Sequence, residues 1–228
     1  MCAILFLGFA LAVHARLLVG LDEAGLGFIA AARPKSLSDA ANWIFRLGYV
    51  QVDLAVGVAW TALALICRRP LPVALVPLVL LVVVGAQAAL RLAIDQPGPE
   101  SQYALRRPSL AHPAGYVLDQ VDAASRGAFV NATTAGVPTN RAQGSVPSGH
   151  AARSLLLAFL ATTEVRQRNR FSGMGSYLLV AVLIGFGILV GLSALYFGYH
   201  WPSDVVGGWL LAVAAYRATA WLRGLAPA

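Results

Sequence analysis

Long apolar runs separated by short polar turns divide the chain, and they set its expected architecture. The first run extends from Met1 to about Gly20 and closes on His14 and Arg16, which read as interfacial residues with the arginine snorkelling. Asp22 to Gly48 is too polar to span and reads as a connector. Inside it, Asp39-Ala-Ala-Asn-Trp-Ile-Phe-Arg46 has the pattern of a short interfacial helix with Trp43 at headgroup level. The second run covers about Tyr49 to Cys67, with Asp53 near its outer end, facing a hydrated cleft or a partner in preference to lipid. Arg68-Arg69-Pro70 forms a tight basic turn. The third run, Leu71 to about Ile94, closes with Gln87 and Arg91 one helical turn apart on a shared face. Asp95 to Val146 is the longest stretch outside the membrane, broken by Pro97, Pro99, Pro108, Pro113 and Pro138, and loops of this length are more often functional than idle. The fourth run starts at Pro147-Ser148-Gly149-His150 and ends near Thr163. A polar turn from Glu164 to Arg170 follows, then runs from about Gly175 to Leu195 and from Pro202 to about Trp221. The predicted fold is all-α: a polytopic membrane bundle of six transmembrane helices with a short interfacial helix, as one domain over residues 1–228.

Composition strengthens this picture. Of the 228 residues, 58% are hydrophobic and only 12% charged, against about 25% charged in a soluble domain. The mean hydropathy is +0.70. A net charge of +7 in a soluble protein would point to nucleic acid; here the distribution of charge argues otherwise. Six spans place both termini on one side. Assigning Arg68-Arg69, Arg166 to Arg170 and Arg217/Arg223 to the cytoplasm leaves that side basic with Glu164 as its one acid, which satisfies the positive-inside rule. Arg91, the long loop, Pro147 to His150 and Ser193 to Asp204 then share the extracytoplasmic face of a plasma (inner) membrane. Cys2 and Cys67 lie in or beside apolar runs, so neither a disulfide framework nor a cysteine metal site is expected. No basic residue precedes the first run and no clean Ala-x-Ala site ends it, which argues against a cleaved signal peptide and leaves room for a start further upstream. Asn131-Ala-Thr matches a glycosylation sequon too short to carry weight.

Two polar segments interrupt this oily background with chemistry. Pro147-Ser148-Gly149-His150 sits where a helix begins: proline suits a first turn, and glycine lets a ligand approach the backbone closely. Free amides and the positive dipole end at such a terminus favour an anion, phosphate above all. His150 is placed to act there as a general acid or base, although a serine cap with an interfacial histidine reads the same residues equally well. In His200-Trp-Pro-Ser-Asp204, Pro202 presets the first turn of the last helix, and a spacing of four brings the Asp204 carboxylate to the His200 ring. Asp204 would fix the tautomer of His200 and stabilise the cation formed when its other nitrogen attacks.

Pro-Ser-Gly-His, followed about fifty residues later by Ser-x6-His-x3-Asp in a six-span chain, resembles the type 2 phosphatidic acid phosphatase superfamily, and the likeness covers nearly the whole chain. The resemblance implies an integral-membrane lipid phosphatase that works without metal or other cofactor through a phosphohistidine. It makes His200 the nucleophile, Asp204 its orienter and His150 the acid that protonates the leaving oxygen. Ser148 and the Gly149 amide, with Ser193, would bind phosphate oxygens. The implied substrate is a lipid phosphate monoester or diphosphate, such as a polyprenyl diphosphate, phosphatidate or phosphatidylglycerol phosphate. Its tail in the bilayer would orient the headgroup.

Two positions depart from the family pattern. Its first motif is Lys-x6-Arg-Pro, and here Arg91 stands for the lysine while Gly98 replaces the arginine before Pro99. Its third motif opens Ser-Arg, and here reads Ser193-Ala194. Losing one charged donor to a phosphoryl transition state costs about 3 to 4 kcal/mol by analogy with oxyanion-hole deletions. Arg141 is the expected substitute, with Arg106, Arg107 and Arg153 as further candidates. The competing readings are an inactive relative that binds or carries a phospholipid, an intramembrane serine protease using Ser148, and a haloperoxidase-like enzyme. The protease reading leaves His150 and Asp204 without a role.

Overall fold

The computed structural model describes residues 2–67, 76–94, 96–99, 103, 145–167 and 174–222. Arg106, Arg107, Arg141, the Arg68-Arg69 turn, Arg168, Arg170, Arg223 and most of the 95–146 loop lie outside the described residues. Among those described, eight α-helices form one bundle: α1 Cys2–His14, α2 Val19–Ala32, α3 Ser38–Leu47, α4 Val50–Ile66, α5 Val76–Ala93, α6 Gly149–Gln167, α7 Met174–Tyr196 and α8 Pro202–Leu222. A 3-10 turn, Lys35–Leu37, leads into α3.

Three of these helices, α5, α7 and α8, are long and apolar enough to cross a membrane, and the number rises to five if each of two bent helix pairs counts as one span. The protein is therefore a multi-pass membrane protein. The first bent pair corrects the expected opening of the chain. The helix that begins at Cys2 stops at His14, six residues short of Gly20, because Arg16 adopts a left-handed backbone (φ 58°) that an α-helix cannot propagate. The chain then turns by 89° into α2. Most of the first half of the expected connector is thus helical. Asp22 and Leu26, one turn apart, are both buried against the bundle. The second bent pair joins α3 to α4 at 56° through Gly48. Asn42, Phe45 and Arg46 of α3 face inward at i, i+3 and i+4, while Trp43 stays exposed, the arrangement of an amphipathic interfacial helix.

Helix α6 is the axis of the bundle. It packs most extensively against α7 and α8 and also touches α4 and α5. Ala151, Ala152, Leu155, Leu156 and Leu160 are buried along it. Its neighbours reach it through small residues, the usual device where lipid removes any hydrophobic drive between helices. Gly187 and Gly191, a turn apart on α7, allow the closest approach: a Cβ at 187 would lie 2.9 Å from the Leu155 Cα, and one at 191 would lie 3.1 Å from the Ala151 Cβ. Gly208 of α8 does the same for the start of α6, where a Cβ would fall 2.5 Å from the Ser148 carbonyl oxygen and 3.2 Å from the Ala152 nitrogen.

Because those obstacles at Gly208 are backbone atoms, relaxation requires the helices to separate. Gly208→Ala is expected to lose about 1 to 3 kcal/mol through overpacking. Gly85→Ala, where a Cβ meets nothing within 4 Å, is expected to match the parent protein. Thermal midpoints in detergent compare the two.

Candidate functional site

The two polar segments of the sequence meet at one end of the bundle, where α6 and α8 begin and α5 and α7 end. The contact is direct: the Ser148 backbone N–H donates to the Asp204 carbonyl at 2.8 Å. Asp204 is fully buried. One of its carboxylate oxygens, Oδ2, accepts from the Trp201 amide at 2.8 Å and lies 3.2 Å from His200 Nδ1. Its other oxygen, Oδ1, accepts from the Ser145 hydroxyl at 3.1 Å. A carboxylate oxygen facing Nδ1 favours the tautomer that carries its proton there, which would leave the Nε2 lone pair for a nucleophile or base. Ser145 was not legible as a site residue: a serine two positions before Pro147 has no local signature.

The loop that presents His200 is built by the end of α7. Gly198 is left-handed (φ 68°), Gly198 N–H bonds to the Leu195 carbonyl at 2.9 Å, and Tyr199 N–H bonds to the Ala194 carbonyl at 3.0 Å. That is a Schellman ending with glycine where a side chain would be strained. It ends the helix at Tyr196, and the five residues Phe197 to Trp201 lead to α8, which begins at Pro202.

His150 lies one residue into α6, and its ring stacks on Phe45 of α3 (centroids 4.3 Å apart, planes at 23°) and meets Tyr49 edge-on at 5.9 Å. Gly48 makes room for it, since a Cβ there would lie 2.7 Å from His150 Cδ2. The same aromatic cluster, Phe45, Tyr49 and Phe197, encloses Ala194, which is wholly buried. A guanidinium at that wholly buried position would need the packing around it to rearrange. Ser193 is buried and donates its hydroxyl to the Val190 carbonyl at 2.7 Å, so its O–H is spent on its own helix.

Arg91, at the end of α5, reaches the Pro147 carbonyl at 3.5 Å, the limit of a hydrogen bond. Asp204 and Arg153 are the charges close enough to act on it. Arg153 departs from its expected role. It is buried, with Nε donating to Asp53 at 2.9 Å, Nη1 to Gln87 at 3.1 Å and Nη2 to the Gly48 carbonyl at 3.0 Å. Such a guanidinium is committed to the protein, which is why it cannot serve as the substitute clamp. Asp53 therefore faces a partner, as its place in an apolar run implied. Gln87 and Arg153 close in beneath Gly149, where a Cβ would fall 2.5 Å from the Gln87 amide. Gly98 is different: among the described residues, nothing lies within 4 Å of a Cβ there. Gln96 to Pro99 passes beside the site, with Trp201 Nε1 donating to the Pro97 carbonyl at 2.9 Å. Among the described residues, no group of three or more His, Cys, Asp or Glu side chains is gathered. Buried polar atoms do remain without a hydrogen-bond partner there, including Ser148 Oγ and Arg91 Nε.

The bundle thus sets a buried His–Asp pair against the Pro-Ser-Gly-His turn at a helix start. The sequence profile of the PAP2 superfamily matches residues 78–226, and the chain belongs to that superfamily of membrane phosphatases. The fold is similar to the crystal structure of the first transmembrane PAP2 type phosphatidylglycerolphosphate phosphatase from Bacillus subtilis. The TM-score is 0.73 at 20% sequence identity, over 98% of this chain and 94% of that one. No curated protein matches the chain by sequence.

The Asp53–Arg153 pair is expected to behave as buried ion pairs do. Asp53→Ala strands a guanidinium and is expected to lose about 3 to 5 kcal/mol of stability. Replacing both partners, Asp53→Leu with Arg153→Met, is expected to recover much of that loss. Unfolding of the single and double variants in detergent measures the difference.

Proposed function

We propose that this protein hydrolyses a lipid phosphate through a covalent phosphohistidine. In this reading His200 Nε2 attacks phosphorus and forms the N–P bond while the bond to the lipid oxygen breaks. Asp204 holds Nδ1–H and stabilises the imidazolium. His150 protonates the departing oxygen, and water then cleaves the N–P bond to release phosphate. The observation that carries this reading is the pair of buried donors left without partners beside His200, Ser148 Oγ and Arg91 Nε, at a helix start whose amides also favour an anion. Ser148, the Gly149 amide and Arg91 are the proposed phosphate ligands, with Arg141 completing the cradle. Ser193 joins them only by rotating away from Val190. The substrate is proposed to be a polyprenyl diphosphate, phosphatidate or phosphatidylglycerol phosphate, the last being the substrate class named for the Bacillus subtilis protein of similar fold.

The topology belongs to the same proposal: six crossings, with the site on the extracytoplasmic face. Helix α6 would be a crossing despite Arg153, Glu164 and Arg166, because α4, α5, α7 and α8 shield it from lipid. Arg166 and Arg217 lie towards the opposite end from the site, on the side proposed as cytoplasmic.

One observation favours a second reading, a relative that binds a phospholipid without turning it over. Ala194 is wholly buried in a cluster with Phe45, Tyr49 and Phe197, and it carries no guanidinium where the family's third motif has one. Phosphate release from a panel of lipid phosphates and diphosphates by the purified protein decides between them. Hydrolysis is expected. It should vanish in His200→Ala and fall by about 10³- to 10⁴-fold in Asp204→Asn, by analogy with mis-set histidine tautomers in triads. Binding of the lipid without phosphate release, and no acid-labile phosphate trapped on His200, would establish the second reading.

The two arginine departures also make opposite forecasts. Gly98→Arg has open space and restores a charged donor, so it is expected to raise kcat by at least about tenfold, a fraction of what deleting such a donor removes. Ala194→Arg is expected to abolish folding or activity. Steady-state rates on the best lipid of the panel, with detergent stability alongside, test both.

A further inference from the structure

The segment read from sequence as a polar connector makes two contacts that bear on the nucleophile. Asp22 of α2 is buried and meets the first free amide of α8: Oδ1 accepts from the Ser203 N–H at 2.8 Å, and Oδ2 accepts from the Ser203 hydroxyl at 2.5 Å and from Gln96 Nε2 at 3.4 Å. Eleven residues on, Arg33 closes the other side. Its Nη1 donates to the Tyr196 carbonyl at 2.9 Å, the last residue of α7, and to the Tyr103 carbonyl at 3.0 Å. The Schellman turn already uses the Ala194 and Leu195 carbonyls, and Tyr196 is the carbonyl it leaves over. Tyr196 is pinned again through its hydroxyl, which donates to the Pro34 carbonyl at 2.8 Å.

Each charge has the sign its helix end requires: an acid at the positive start of α8 and a guanidinium at the negative end of α7. Arg33 is the cap residue just past the end of α2, and the helix between the two advances about 15 Å in about three turns, which carries both to nearly the same side of it. Between the two capped ends lies the short loop Phe197 to Trp201, with His200 in it.

We propose that Asp22 and Arg33 are positioning residues for His200, acting from α2 as a two-point brace on the helix ends that flank it. The brace rests on the reading of His200 as the nucleophile. It acts before any substrate binds, by removing alternative positions of the loop and so holding Nε2 in line for attack. Both residues precede the segment matched by the family profile, which begins at residue 78.

Hydrogen exchange of the full chain in lipid nanodiscs gives a readout that needs no substrate. Asp22→Ala and Arg33→Gln are expected to speed exchange of the amides at 197–204 by about tenfold, the effect of losing a helix cap, with the amides of α6 unchanged. Asp22→Asn keeps an acceptor for the Ser203 amide and is expected to stay near the parent. On a lipid phosphate that the parent hydrolyses, Asp22→Ala is expected to lower kcat about tenfold with KM within about twofold, and Asp22→Asn to restore most of it. Unchanged exchange at 197–204 in both cap-removing variants would overturn the brace, as would a rise spread equally over α6. A kcat unaffected in Asp22→Ala would overturn it too. If the parent hydrolyses no lipid phosphate, the functional reading fails by itself and the exchange pattern still decides whether the brace exists.

Discussion

A single backbone hydrogen bond, from the Ser148 amide to the Asp204 carbonyl, fixes the relation between the halves of the site. It joins the start of α6 to the start of α8, so the Pro-Ser-Gly-His turn and the carboxylate that bonds to His200 move as one unit. Both groups are buried, and breaking the bond would leave two main-chain polar groups unsatisfied at a cost of about 1 to 3 kcal/mol each. No side-chain substitution in either partner can replace it. Its neighbours guard it: Gly208 exists as glycine because the Ser148 carbonyl lies where a Cβ would go.

Around that bond, much of the site was legible and much of its support was not. The His200–Asp204 contact follows from an i, i+4 spacing across a proline-started helix, which is local geometry and can be read from the chain. The convergence of Pro147 to His150 with that pair followed from apolar runs and charge bias. What sequence missed are contacts between distant segments: Ser145 on Asp204, Gly48 and Phe45 against His150, Asp22 on Ser203, Arg33 on Tyr196. None has a periodicity of its own. Helix α2 was read as a connector because Asp22 and Arg33 count as polar residues in any window, whereas in space each meets a helix end that needs its charge. The six-residue overestimate of the first run has a similar origin, since hydropathy does not register the left-handed turn at Arg16.

Charge in this site is arranged differently from the family pattern, and packing explains which differences are firm. Ala194 sits in a closed aromatic cluster that also carries His150, so the missing guanidinium there is built into the core. Gly98 differs: none of the described residues around it enforces its lack of a side chain. Arg153, the nearest guanidinium in sequence to the Pro-Ser-Gly-His turn, is neutralised by Asp53 and saturated with acceptors, a structural ion pair across α4 and α6. A buried pair of that kind adds rigidity beneath Gly149 more than it adds net positive potential. Among the described residues, Arg91 is a positive charge close to Asp204 that is not committed in this way.

These contacts give the chain before residue 78 a share in the site that its sequence did not announce. The proposed reacting groups all come from α5, α6 and the α7–α8 junction, inside the matched segment. The groups that hold them come largely from α2, α3, α4 and their caps: Asp22 and Arg33 on the flanks of His200, Phe45 and Gly48 against His150, Asp53 on Arg153 beneath Gly149. In a membrane this division has a physical reason. Helices in lipid gain little from hydrophobic association, so orientation at a helix end must come from polar contacts and close packing. A nucleophile on a loop at such an end, with few residues of its own to hold it, depends on charges brought from elsewhere in the chain.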